Sequence, residues 1–318
     1  MMQQPMHIAT SSVPLVSVAI TAFNSEKWLA RAIESVLMQQ TTFPIEIVVA
    51  DDCSTDGTAA VALRFRENHP DIVRVLTRNK NVGIQHNYYE TFEMCQGKYI
   101  AWLDADDYWT DSSKLQIQTQ ALEDDSSIAV CAHFVRWVTM DNEVKKEYPR
   151  LAPGRYGMSE IVRRNFLPSP SVVFRNEINR KLPQWYFDVA PIPDWPIWIL
   201  AAQSGDILMM DRVMADYQLT PNSSTTGQSQ LTQTKADIRF YERVESILPA
   251  SFHRIARSEI GKRYETLAYL LRRKKEFRAS REAAIKAFIS PFLLDNLTSK
   301  TKSLIAALVR DVEWRLRN

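Results

Sequence analysis

Asp51 and Asp52 close the run IEIVVADD, and Asp104, Asp106 and Asp107 close KYIAWLDADD. Each acidic group follows a stretch of apolar residues. An apolar run that ends abruptly in acids describes a buried parallel strand emerging at its carboxyl end, the edge at which open α/β sheets bind ligands. Carboxylates this close repel one another unless a cation or hydrogen-bond donors neutralise them. Hard oxygen ligands suit Mg2+ or Mn2+, which at such partial sites keep waters or take phosphate oxygens. The residues therefore read as an acidic site for a nucleotide and a divalent metal. The alternative is a solvated acidic loop that caps the next helix.

The elements that must present these acids are legible from periodicity. PLVSVAITAF (residues 14–23) reads as a first buried strand, followed by a helix with Trp28, Leu29, Ala32, Ile33, Val36 and Leu37 at helical spacing and Ser25 as its cap. IEIVVA, IVRVLTR and KYIAWLD are three further strands, separated by helices over TAAVALRFRENH and HNYYETFEMC. Alternating strands and helices predict an α/β chain with a doubly wound, mostly parallel sheet. SIAVCAHFVRWV (127–138) adds a bent or antiparallel strand, and DILMMDRVMADYQL (206–219) a pair of short ones. Eight prolines between residues 141 and 196 predict long loops there. PNSSTTGQSQ (221–230) reads as a polar linker into a tail of helices, in which residues 264–291 form a hairpin that must dock on a partner.

Composition narrows the class. The 318 residues carry 45% hydrophobic side chains, enough for a sizeable core. The net charge of +2 hides an asymmetry, for residues 231–318 hold 19 basic and 10 acidic side chains. Cys53, Cys95 and Cys131 are odd in number and lack paired spacing, which argues against a disulfide framework or a zinc site and for a reducing compartment. No apolar run is long enough to cross a bilayer and no signal peptide is evident, so a cytoplasmic protein is expected, with membrane contact at most peripheral.

VSVAITAFN, VVADDCSTDGT, NKNVGIQHN and LDADD occur in that order, and residues 14–225, most strongly 14–110, thereby resemble a family 2 glycosyltransferase. The resemblance implies a GT-A fold over residues 14–225, with a nucleotide-binding half (14–110) and an acceptor half (111–225), between an N-terminal tail (1–13) and a helical C-terminal extension (226–318). It also implies inverting transfer of a hexose or N-acetylhexosamine from a nucleotide-diphosphate sugar, UDP by expectation, to a hydroxyl of a glycan or glycolipid acceptor. Cell-surface polysaccharide synthesis is the expected setting.

By matching motifs, Thr21, Phe23 and Asn24 fall in the loop that holds the base, where an aromatic ring can stack. Asp52 matches the acid that accepts from the uracil imide. Asn81, Gly83 and Asn87 match a loop-shaping motif near the sugar nucleotide, while Arg78 and Lys80 could approach phosphate or simply be solvated, as basic residues after a strand more often are. Asp106 matches the ligand of Mn2+ or Mg2+. Asp104 matches a group facing the ribose or a metal-bound water, and Asp107 either binds the metal or supports the loop. Asp194 falls where the family places its catalytic base, although it could also cap the helix at Trp195 and Pro196. The family's arginine and histidine after the last strand are absent from Tyr217-Gln218-Leu219-Thr220-Pro221, so diphosphate contacts would fall to backbone donors, Asn222 and Ser223.

Trp185, Tyr186, Trp195 and Trp198 could form an aromatic wall for a sugar, or ordinary core. The basic tail could lie on anionic lipid or dock as a solvated subdomain. No nucleic-acid partner is expected. Nucleotidyl transfer would need a glycine-rich phosphate loop that AITAFNSE lacks. A receiver-like signalling module would be shorter, and a non-catalytic binding module is the remaining alternative.

Overall fold

A computed structural model describes residues 13–177, 182–189, 192–220 and 229–289, with 301, 303, 304, 306 and 307. In chain order the elements are β1 (Val16–Ala22), α1 (Leu29–Leu37), β2 (Ile45–Asp51), α2 (Thr58–Asn68), β3 (Val73–Thr77), α3 (Ile84–Met94), β4 (Tyr99–Asp104), β5 (Tyr108–Trp109), α4 (Lys114–Asp124) and β6 (Ile128–Val138). There follow β7 (Val144–Tyr148), β8 (Gly154–Tyr156), α5 (Met158–Arg163), a 3-10 turn (Ser169–Ser171), β9 (Val173–Arg175), α6 (Trp185–Asp188), α7 (Trp195–Ala201) and β10 (Asp206–Gln218). Three longer helices close the described chain: α8 (Gln230–Glu245), α9 (Ala250–Arg273) and α10 (Phe277–Ile289).

Among the described residues the strands form one sheet in the order β3-β2-β1-β4-β9-β6-β10-β5, with β7 on β6 and β8 on β10. β1 pairs in parallel with both β2 and β4, β2 with β3, and β6 with β10. β9 runs antiparallel to β4 and to β6, which turns β6 and β10 back into the direction of β1. Six strand ends therefore open on one edge. This is the expected α/β arrangement.

The centre of the sheet is apolar because both faces are covered. Val16, Val18, Ile20, Ile47, Val49, Ala101 and Leu103 are fully buried, and Leu29, Ile33 and Val36 of α1 pack on them. Each of the Val, Ile and Leu side chains contributes roughly 1.5–3 kcal/mol of burial. α1 begins at Leu29, later than expected. Ser25 does not cap it, because its backbone N–H donates to Thr58 Oγ1 and its hydroxyl to the Phe23 carbonyl. β10 is also one strand, not two short ones. A bulge between Met210 and Val213 breaks its register on β6, and its two halves take different outer partners, β8 and β5.

The chain divides into two compact units: Met1–Ile161 with Asn165–Phe187 and Pro193–Ser223, and Val162–Arg164 with Asp188–Ile192 and Ser224–Asn318. In the second unit Ser229 caps α8 by accepting from Thr232 N–H. Phe240, Tyr241, Val244, Ala268, Leu271 and Ala284 are buried there, so the hairpin of α9 and α10 finds its apolar partner in α8. The expected linker lies largely outside the described residues, as do Asn222 and Ser223.

Candidate active site

The register of β1 explains why the two acidic clusters meet. Ala22 lies opposite Asp51 on one side and Thr21 opposite Asp104 on the other, so β1 alone separates them. At ordinary strand spacing that is about 10 Å across the sheet. A nucleotide lying along the edge can reach both.

Two loops at this edge are tied to each other. Asn24, at φ +50°, donates its backbone N–H to Ser54 Oγ (2.8 Å), and its side-chain oxygen accepts Thr55 N–H (2.9 Å). Glu26 accepts from Gly57 N–H at 3.0 Å, and Asp56 accepts from Glu26 N–H at 3.2 Å. Asn24 thus holds the β2–α2 loop in place. Phe23, beside it, is half exposed, free to lie against a flat ring.

Asp52 is 3% exposed. One of its carboxylate oxygens accepts Val82 N–H (2.8 Å) and the other Gly83 N–H (3.0 Å), while its carbonyl accepts from Asn81 Nδ2 (3.0 Å). Each carboxylate oxygen retains a second lone pair for a ligand. Gly83 has φ +84° and ψ 161° at the start of α3, a conformation essentially reserved for glycine. Asn87 is buried between Arg78 and the Ala50 carbonyl, and Arg78 is committed to Glu90 (2.8 Å) and Asn87 (2.6 Å). The idea that Arg78 reaches phosphate is therefore corrected, for its guanidinium ties β3 to α3. Lys80 is exposed.

Around the second cluster, Asp104 Oδ1 accepts from Tyr88 Oη, from Trp102 Nε1 at 3.3 Å and from Thr21 Oγ1 at 3.5 Å. Burial, reinforced by the Asp104 charge, pushes the Tyr88 hydroxyl well above its ordinary range and keeps it a donor. Asp106 Oδ2 accepts from Thr220 Oγ1 (3.3 Å). Burial first, and then the charge of Asp104, raises Asp106 to about 6. Asp107 is 1% exposed, accepts Gln218 N–H at 2.8 Å and is raised well above the carboxylate range by burial and by Asp106 and Asp104. Its position fits loop support, since it fastens the β4–β5 turn to the end of β10. Its Oδ2 has no hydrogen-bond partner among the described residues.

Among the described residues no group of three or more His, Cys, Asp or Glu side chains gathers as a metal-holding set. The residues nonetheless fit a partial cation site. Burial first and the Asp104 charge second raise the proton affinity of Asp106, a divalent ion would offset both, and its remaining ligands would be phosphate oxygens and water.

Asp194 stands at the start of α7, yet its side chain makes no capping bond to that helix. It accepts from Asn165 Nδ2 at 2.6 Å. Burial raises its proton affinity, the Asn165 bond opposes this, and the Asp104 charge adds to the rise. That mutual influence joins Asp194 electrically to the strand-end acids.

Sequence reasoning missed Arg31 of α1 as well as Asn165. The Arg31 guanidinium lies 3.8 Å over the Tyr108 ring and donates to Gln218 Oε1 at 2.7 Å, which brings its charge to bear on Asp106 and Asp107. Neither residue belongs to an apolar-then-acid pattern, so no local signal marks it. Of the two readings of the aromatic residues, a sugar wall or ordinary core, the burial favours core. Trp185, Tyr186, Trp195 and Trp198 are all at least nine-tenths buried, with Trp198 packed against Trp102 and Phe174 and Trp195 donating to the Ile161 carbonyl.

Comparison with known proteins bears on the fold and the family. Uncharacterized proteins of Mycobacterium tuberculosis and Mycobacterium bovis are 32% identical over 205 residues, 64% of this chain and 58% of theirs. The chain thus matches little more than half the length of these relatives. Chondroitin synthase of Escherichia coli is 38% identical over 96 residues, 30% of this chain and 14% of that one. Among solved structures, S. aureus TarS 1–349 in complex with UDP-GlcNAc superposes with a TM-score of 0.65 at 17% identity, covering 95% of this chain and 91% of that one. Mannosyltransferase PcManGT of Pyrobaculum calidifontis, in complex with GDP-Man and Mn2+, gives 0.59 at 17% identity over 98% and 91%. These likenesses show the GT-A fold. The sequence model of glycosyl transferase family 2 matches residues 17–182, more than half the chain, and the protein belongs to that family.

Proposed function

We propose that the protein is an inverting glycosyltransferase that moves a hexose or N-acetylhexosamine from a UDP-sugar to a hydroxyl of a glycan or glycolipid acceptor. The observation that carries this reading is Asp194, a partly buried carboxylate of raised proton affinity, held by Asn165 and within electrostatic reach of the strand-end acids. Inversion needs a carboxylate that takes the acceptor hydroxyl's proton as its oxygen attacks the anomeric carbon, opposite the departing diphosphate. Asp194 is that base. Phe23 stacks on the nucleotide base, and Asp52, anchored to the Val82 and Gly83 amides, reads its edge with the lone pairs left over. Asp104, held at one oxygen by Tyr88, Trp102 and Thr21, turns the other to the ribose. Asp106 would hold Mn2+ or Mg2+, which supplies Lewis-acid stabilisation of the diphosphate leaving group.

UDP-GlcNAc in TarS and Mn2+ in PcManGT support the donor class and the metal. A cytoplasmic site at the inner membrane surface completes the reading. It is supported by the exposed basic residues Arg273, Lys274 and Lys275 beside exposed Tyr269. No helix among the described residues is long and apolar enough to cross a membrane.

The test is a panel of nucleotide sugars with and without Mn2+, scored for turnover and thermal stabilisation. One donor that both stabilises the protein and is consumed supports the proposal. Stabilisation by no nucleotide sugar ends it.

A further inference from the structure

We propose that Asn165 is the positioning residue of the transfer reaction, holding Asp194 Oδ2 so that Oδ1 is the oxygen that takes the acceptor's proton. This rests on Asp194 being the base. The contact is short, 2.6 Å from Asn165 Nδ2 to Asp194 Oδ2, and both residues belong to the same compact unit.

The orientation of the Asn165 amide is fixed from its other end. Its Oδ1 accepts the backbone N–H of Leu167 at 3.2 Å, so the NH2 group must be the end that faces Asp194. The Asn165 carbonyl accepts in turn from Tyr148 Oη of β7 at 3.1 Å. A side chain locked at both ends can fix the angle of a third group. A neutral amide also suits the task chemically, since it donates at every pH and brings no charge of its own.

The surroundings of Asp194 make this donor matter. The titratable groups facing it are Asp104 from β4, whose charge raises its proton affinity, and Tyr186 of α6, whose hydroxyl burial and Asp194 itself keep protonated. Against burial and Asp104, the Asn165 bond is the foremost opposing influence, ahead of the backbone amides of Trp195 and Asp194. Without it the carboxylate would hold its proton further up the pH scale and swing out of line with the acceptor.

The experiment compares pH profiles of kcat/KM for the intact chain, Asn165→Ala, Asn165→Asp and Asp194→Asn, with UDP affinity and thermal melting measured on each. Asn165→Asp keeps the acceptor for Leu167 N–H and so keeps the turn, but it replaces the donor with a second carboxyl. In Asn165→Ala the acid limb of the profile should move up by about one pH unit, because hydrogen bonds to charged groups are of that order. In Asn165→Asp it should move further, with at least about tenfold lower kcat/KM at neutral pH. UDP affinity should not change in either. An acid limb that stays put in Asn165→Asp, while Asp194→Asn abolishes turnover, overturns the role of Asn165 alone. Retained turnover in Asp194→Asn overturns the base and Asn165 together.

Discussion

Asp194 and Asp106 answer to different measurements. On the proposed role of general base, replacing Asp194 by Asn should lower kcat about 10²- to 10⁴-fold while UDP still binds, which single-turnover kinetics with a nucleotide-binding assay would check. Because burial raises its proton affinity, the acid limb of the kcat/KM profile should lie above the ordinary carboxylate range. Activity should fall as pH drops through that limb, since protonation removes the base. Asp106→Ala should cost ~10²-fold or more in turnover and abolish any extra thermal stabilisation that Mn2+ gives in the presence of UDP. Wild-type turnover in Asp106→Ala would remove it from the mechanism.

Among the elements, the turn into α3 is the most exacting. A Cβ on Gly83 would meet nothing within 4 Å, so Gly83→Ala is opposed by backbone conformation alone, at ~1–3 kcal/mol. Since Gly83 N–H is bound by Asp52, the same variant should weaken UDP binding, and a melting curve paired with a binding titration reads both effects. The strands that deliver the acids were legible because an apolar run cut short by aspartates suits a buried strand reaching the sheet edge and little else. Asn165 was not, since its partner lies 29 residues away and neither neighbourhood hints at the other. The aromatic residues after residue 180 left two readings open for the opposite reason, as a tryptophan is equally at home in a core or a sugar site, and packing of Trp198 on Trp102 and Phe174 decides for that residue. α4 escaped attention because its apolar positions are sparse and its buried face carries Lys114, Gln118 and Thr119.

Over the whole molecule, Lys114 should contribute an alkaline rise in stability that a substitution isolates from the opposing buried cysteines and tyrosines. It is fully buried against the Trp109 ring at 4.2 Å, its Nζ has no hydrogen-bond partner among the described residues, and burial lowers it from 10.5 to about 7. The unfolded chain binds more protons than the folded one between those values. Stability should therefore rise from about pH 7 toward pH 10.5, by ~2–4 kcal/mol in the difference between the intact chain and Lys114→Met. Urea unfolding at several pH values would show it, and a pH-independent difference would refute it. At the other end of the chain, vesicles containing anionic lipid should retain the protein at low salt and release it as salt screens the contact, whereas neutral vesicles should not. Equal sedimentation with both would rule out a charge-led surface. In the first unit, the mutual fastening of Asn24, Ser54, Thr55, Glu26 and Gly57 means that the cradle beside Phe23 takes its shape while the chain folds. A ligand arriving there meets a rigid seat, so its capture should be one kinetic phase whose rate climbs linearly with concentration, with no slow rearrangement behind it.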